Sequence, residues 1–226
     1  MGHGRIGWCG ALAAAALLAS GGGVAAQQFS ADLVNSEQAD SPDRPAQKIY
    51  VSDGKVRMER AGARGGAVIA DANSKTTIML MPQQKAYMDM TQMGPMGQMM
   101  VRALMPVDPN NPCPQWQEMA KAANRNGAEG GGDWTCKRIG NETMNGRSTI
   151  KFEADSPKGE RHYAWVDPKL KFLVKSQNAD GRGMELRNIA EGPQQASLFE
   201  IPAGYQKMDI AQMMRQMMPQ GAKPPG

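Results

Sequence analysis

The chain has 226 residues, 41% of them hydrophobic, with a formal net charge of +4 and three cysteines. That length rules out a mini-protein held together by cross-links and suits one large domain or two small ones. Basic and acidic residues are interspersed and no basic run is long enough to form a patch, which argues against a nucleic-acid partner.

Residues 1–26 read as a signal peptide. His3 and Arg5 precede an apolar run from Ala11 to Ala19, and Val24-Ala25-Ala26 supplies the small residues a signal peptidase requires. A membrane anchor needs about 20 apolar residues, and Gly21-Gly22-Gly23 ends this run well short of that. A lipoprotein would carry cysteine at the cleavage point, where Gln27 stands instead. The mature chain is expected to begin at Gln27 and to be exported, soluble and not membrane-anchored. Cys113 and Cys136 then remain, and in an oxidising compartment they are expected to form one disulfide.

The first strand is expected at Phe29-Ser-Ala31-Asp-Leu33, where apolar and polar residues alternate, followed by a polar loop from Ser36 to Pro45. Between Lys48 and Met90, short apolar runs are separated by turn-forming clusters at Ser52-Asp53-Gly54, Asp71-Ala72-Asn73-Ser74 and Pro82-Gln83-Gln84, the pattern of a strand ladder. Val56 and Met58 share one face of their strand, while Lys55, Arg57 and Glu59 share a face that should be wet. Thr76 to Met81 differs: Ile78 and Leu80 project one way, Met79 and Met81 the other. Both faces of that strand are apolar, so it needs cover on both sides or borders a cavity.

From Thr91 the spacing turns helical, but Gly94, Pro95 and Gly97 interrupt it, leaving a short helix from about Gly97 to Leu104. Pro106 to Cys136 reads as a disulfide-stapled insertion, with a helix starting at Pro114 that packs through Trp116 and Met119. A second ladder follows: a hairpin at Asn145-Gly146, Thr149 to Ala154, Arg161 to Val166, Leu170 to Lys175 and Met184 to Ile189. An amphipathic piece from Met208 to Met218 and a frayed tail, 219–226, end the chain. No linker divides the ladders. The expected architecture is a single mainly β (α+β) domain, 27–218: a large antiparallel sheet carrying two or three short helices.

The second ladder also resembles a known family. Tyr163-Ala-Trp165-Val-Asp167-Pro168, Leu186-Arg-Asn-Ile-Ala190 and Leu198-Phe199-Glu-Ile-Pro202-Ala-Gly204-Tyr205 are similar to the closing half of LolA/LolB-like exported proteins. An uncharacterised secreted branch of that superfamily is the nearest likeness. Val51-Ser-Asp-Gly-Lys-Val-Arg-Met58 and Met79-Leu-Met-Pro-Gln-Gln-Lys-Ala-Tyr87 resemble its first half. The resemblance implies an unclosed half-barrel curled around a hydrophobic cavity with helices as a lid, a periplasmic location, and a carrier holding an acyl chain or a lipidated protein. This chain departs from the family in its stapled insertion and its methionine content.

Catalytic chemistry is sparse. After export only His162 remains among the histidines, and no Gly-x-Ser-x-Gly elbow occurs. Phosphate-cradling loops are missing, and Asp53, Asp71, Asp155, Asp167 and Asp180 all sit in expected turns. A non-enzymatic protein without a cofactor is expected. The 19 methionines are the anomaly. Their thioethers suit a flexible apolar lining, and the expected lining residues are Val56, Met58, Ile78, Met79, Leu80, Met81, Met88, Trp165 and Phe172. An alternative is copper(I) capture by Met90, Met93, Met96 and Met99, since soft sulfur ligands select that ion. A third reading has the Met208–Met218 piece making transient contact with an envelope protein.

Overall fold

The computed structural model describes residues 28–35, 46–60, 65–93, 106–125 and 132–208. The signal peptide, the helix expected near 97–104 and the chain beyond Met208 lie outside them.

Twelve strands form: β1 (Gln28–Asn35), β2 (Gln47–Ser52), β3 (Lys55–Arg60), β4 (Gly66–Asp71), β5 (Thr76–Met81), β6 (Ala86–Asp89), β7 (Thr135–Met144), β8 (Arg147–Asp155), β9 (Arg161–Asp167), β10 (Phe172–Asn178), β11 (Gly183–Glu191) and β12 (Gln206–Lys207). One α-helix, α1 (Cys113–Arg125), and three single 3-10 turns, at Pro82–Gln84, Met90–Met93 and Ala196–Phe199, complete the described elements. The hairpins close where the sequence places them. Asp53-Gly54 takes φ of 49° and 78°, Asn145-Gly146 takes 50° and 75°, and two positive φ angles in succession make the turn whose twist matches the strands it joins.

The strands belong to one sheet, ordered β12-β6-β5-β4-β3-β2-β1-β11-β10-β9-β8-β7. Every pairing is antiparallel except β12 on β6, and the end strands β12 and β7 do not meet, so the sheet is unclosed. Bulges at Ser30/Asp32, Leu173/Lys175 and Arg138/Gly140 add local bend and twist. Their effect shows in contacts between strands that are not neighbours. A flat sheet would hold β8 and β11 about 14 Å apart, yet Arg147 Nη2 of β8 lies 2.9 Å from Glu191 Oε1 of β11. At the β7–β8 turn, Asn145 Nδ2 donates to Glu185 Oε1 of β11 at 2.8 Å.

The curl has a packed inner core. Phe29, Ile49, Val51 and Val56 from one arm meet Trp165, Leu170, Phe172, Val174 and Leu186 from the other. Phe29 and Phe172 lie edge to face at 5.3 Å, a favoured aromatic geometry. The convex face carries two smaller clusters. Under α1, Trp116 meets Phe152 edge-on at 5.6 Å beside Val107, Ile150 and Val166, and the Cys113–Cys136 disulfide ties the helix to β7. At the other end Ala67, Ile69 and Leu80 are covered by Phe199 and Tyr205.

Two expectations change, and the helix count is met only in part. The other helical pieces expected, near 97–104 and beyond Met208, lie outside the described residues, which hold one α-helix. It packs on the convex face, whereas the resemblance implied helices over the concavity. The polar face of β3 is not wet throughout: Arg57, only 15% exposed, pairs with Glu59 at 2.8 Å and donates to the Leu198 carbonyl at 2.9 Å. The reason lies far along the chain, because the 196–205 segment folds back over that face. Among the described residues no helix is long and apolar enough to cross a membrane.

Candidate functional site

Residues opposed across an antiparallel pair point to the same side, so the registers trace rows over the inner face. Phe29–Val51–Val56–Ala70–Thr77 is one row, and all five residues are buried. The next row is Ala31–Ile49–Met58–Val68–Met79–Met88. It begins buried, at Ala31 and Ile49, but from Met58 through Met88 it is only half covered. Val68, Met79 and Met88 belong to none of the three core clusters. Where the inner core stops, an apolar sheet surface therefore continues across β3, β4, β5 and β6.

Two hollows open on this surface. The larger, about 240 Å³, is lined by Gly65, Gly66, Val68, Met79, Met81, Gln83 and Gln84, and also by Ala67 and Leu80, which belong to the convex-face cluster. Gly66 is required by close approach: a Cβ there would sit 2.9 Å from the Leu80 carbonyl oxygen. The smaller, about 40 Å³, lies between Leu33, Ile49 and Met58 on one arm and Phe172, Val174 and Leu186 on the other. Met58 lines the smaller hollow, and Val68, opposite Met58 in the β3–β4 pair, lines the larger. Enclosed small-molecule pockets run to about 300–1,000 Å³. An occupant here would lie along the face and not be engulfed by it.

The nine residues singled out from the sequence fall into three groups. Met58, Met79, Met81 and Met88 come together on the half-covered inner face. Val56, Trp165 and Phe172 sit beside them in the packed inner core, at 2%, 4% and 6% exposure. Ile78 and Leu80 project to the convex face, against Phe199 and Tyr205. Val68, Gly66 and Leu33 escape sequence reasoning. Val68 has a legible signal, since Gly66-Ala-Val68-Ile alternates in register with Met79 once the hairpin is drawn; Leu33 has none, because its partners lie across the curl.

Charge gathers at the packed end. Trp165 is flanked by its cross-strand neighbours Lys151 and Lys175, whose ammonium groups lie 4.8 and 5.0 Å from its ring. Its indole N–H donates to Glu142 Oε2 at 2.7 Å, and Glu142 Oε1 pairs with Lys151 at 2.9 Å. Those bonds, from Lys151 first and Trp165 second, hold the Glu142 carboxyl below the usual carboxylate range. Nearby, Arg147 joins Asp167, only 2% exposed, to Glu191 at 2.9 Å. Asp167 Oδ1 also accepts the backbone N–H groups of Lys169 and Leu170. These groups satisfy one another and serve as structural ties across the curl.

His162 meets the Trp134 ring edge-on at 5.0 Å. No three of His, Cys, Asp and Glu gather in a metal-holding group among the described residues. Of the methionines considered for copper, Met90 is buried at the start of its 3-10 turn, while the Met93 side chain, Met96 and Met99 lie outside the described residues.

No family model matches the chain, and no curated protein matches it. Among solved structures, PNGF-II is similar at TM-score 0.49 and 8% identity, over 84% of this chain and 33% of that one. The chain thus spans about a third of that protein's length. An uncharacterized conserved protein from Thermus thermophilus is similar at TM-score 0.46 and 8% identity, over 80% of this chain and 90% of that one. A putative outer membrane lipoprotein-sorting protein domain from Vibrio parahaemolyticus is similar at TM-score 0.22 and 7% identity, over 76% and 88% of the respective chains. At such scores and identities none of them assigns a family or an activity, and no enzyme family is indicated.

Proposed function

We propose that this chain is an exported, non-enzymatic carrier of the LolA-like kind, with residues 27–218 acting as one unit after removal of 1–26. It holds an acyl chain, free or attached to a protein, along the inner face of β3–β6. One observation carries this reading: the row Met58–Val68–Met79–Met88 is apolar, continuous over four strands, half covered, and bordered by a hollow of about 240 Å³. Unbranched thioether side chains re-pack around linear guests of differing length. Each methylene buried contributes about 0.8 kcal/mol, so an acyl chain of ordinary length is held without a catalytic group or a fixed ion pair.

Titration with a fluorescent fatty acid tests the proposal. Delipidated protein should take it up saturably, and Met79→Asp, which places a charge in the middle of the row, should reduce uptake at least tenfold with the far-ultraviolet spectrum unchanged. Absence of saturable uptake by the unaltered protein would dismiss the carrier reading.

A further inference from the structure

We propose that the ligand is a free fatty-acid anion, bound with its carboxylate at Lys175 and its methyl end toward Met88, so that the site selects an ionised head over an amide- or ester-capped one; this rests on the carrier reading and makes it specific. The half-covered row ends beside a cation. Met58, the β3 member of the row, lines the hollow of about 40 Å³ together with Lys175, which reaches it from the other arm of the curl. Lys175 also lines a third hollow, of about 210 Å³, whose wall includes Asn35, Ser176 and Gln177. Met184 and Glu185 line both. An apolar track thus passes into a polar recess at Lys175.

The ammonium group there has donors to spare. A lysine carries three, yet the Lys175 ammonium lies over the Trp165 ring at 5.0 Å, and its ion pair with Glu185 Oε2 spans 3.9 Å, beyond hydrogen-bond reach. Lys151, over the same ring, is already bonded to Glu142 at 2.9 Å. Glu185 is engaged elsewhere, since its Oε1 accepts from Asn145 at 2.8 Å and from Arg187 at 3.3 Å. Among the described residues, the charged side chains lining the polar hollow are Lys175, Arg187 and Glu185, one positive charge in excess. A carboxylate placed there restores neutrality.

The Lys175 side chain is only 26% exposed, and a partly dehydrated donor bonds an ionised acceptor about twice as strongly as a neutral one. The rest of the chain then has the apolar row to follow. From β3 to β6 the three strand gaps total about 14 Å, over Met58, Val68, Met79 and Met88 in turn.

Displacement of a fluorescent fatty acid by palmitate and by palmitamide, the same chain with an uncharged head, tests the proposal. The unaltered protein should prefer palmitate about tenfold; Lys175→Met should abolish the preference and Lys175→Arg should keep it. Orientation is read separately, on the unaltered protein, by methionine-methyl NMR with nitroxide-labelled fatty acids. A label near the carboxylate should broaden Met58 more than Met88, and a label at the methyl end should do the reverse. Equal binding of the two ligands, a preference that survives Lys175→Met, or the same broadening pattern from both labels would overturn the head site and leave the carrier reading standing. Saturable binding of neither ligand would remove the carrier reading and this proposal with it.

Discussion

Arg147 shows how much of this fold depends on single side chains reaching across the curl. It bridges Asp167 on β9 and Glu191 on β11, and Asp167 is almost wholly buried. Removing one partner of a buried pair strands the other charge, at a cost of about 3–5 kcal/mol; the two backbone donors to Asp167 put Arg147→Leu at about 3 kcal/mol, measurable by urea denaturation. Exposed carboxylates act through pH. Lys48 and then Asn188 hold Asp32 below its ordinary range, Lys151 and Trp165 do so for Glu142, and Lys169 and Arg147 for Glu191. In the unfolded chain these groups take up protons at higher pH than in the folded one. Their stabilisation is therefore complete above the ordinary carboxylate range and is lost as pH falls through the depressed folded values. The melting temperature should be flat above about pH 5 and drop below about pH 4, and a Glu142→Gln/Glu191→Gln variant should show a shallower drop.

At the scale of elements, β5 carries the distinction between support and surface. Its two apolar faces are legible in Thr76-Thr-Ile-Met-Leu-Met81, since a period of two assigns every side chain. Which face stays open is not, because the cover over Ile78 and Leu80 comes from Phe199 and Tyr205, more than a hundred positions later in the sequence. The two faces predict opposite outcomes. Leu80→Asp buries a charge in a packed cluster and should destabilise by about 3 kcal/mol or more, seen as a lowered denaturation midpoint. Met79→Asp meets a half-covered surface and should shift that midpoint little. The helix at Cys113–Arg125 follows the same logic: its start, its proline and its Trp116 contact are readable locally, but its placement on the convex face is set by Ile150, Phe152 and Val166 in the second ladder.

For the whole molecule, the sheet is a curl with a solid end and an open end. Phe29, Trp165 and Phe172 fill the first, and the methionine row borders the second. Alternation and turn residues made the strands legible. The order that sets β1 beside β11, and so joins the two ladders, had no local signal, because that pairing spans most of the chain. The Cys113–Cys136 link closes a separation of 23 residues on the convex face, away from the row. Replacing both cysteines with serine should cost about 3 kcal/mol in unfolding experiments and leave fatty-acid affinity unchanged. The most direct test of the open end is a methionine-methyl spectrum recorded while palmitate is added. Saturable shifts at Met58, Met79, Met81 and Met88, with Met119 on α1 unmoved, are the predicted result; shifts spread equally to Met119, or no saturable shift at all, would contradict it.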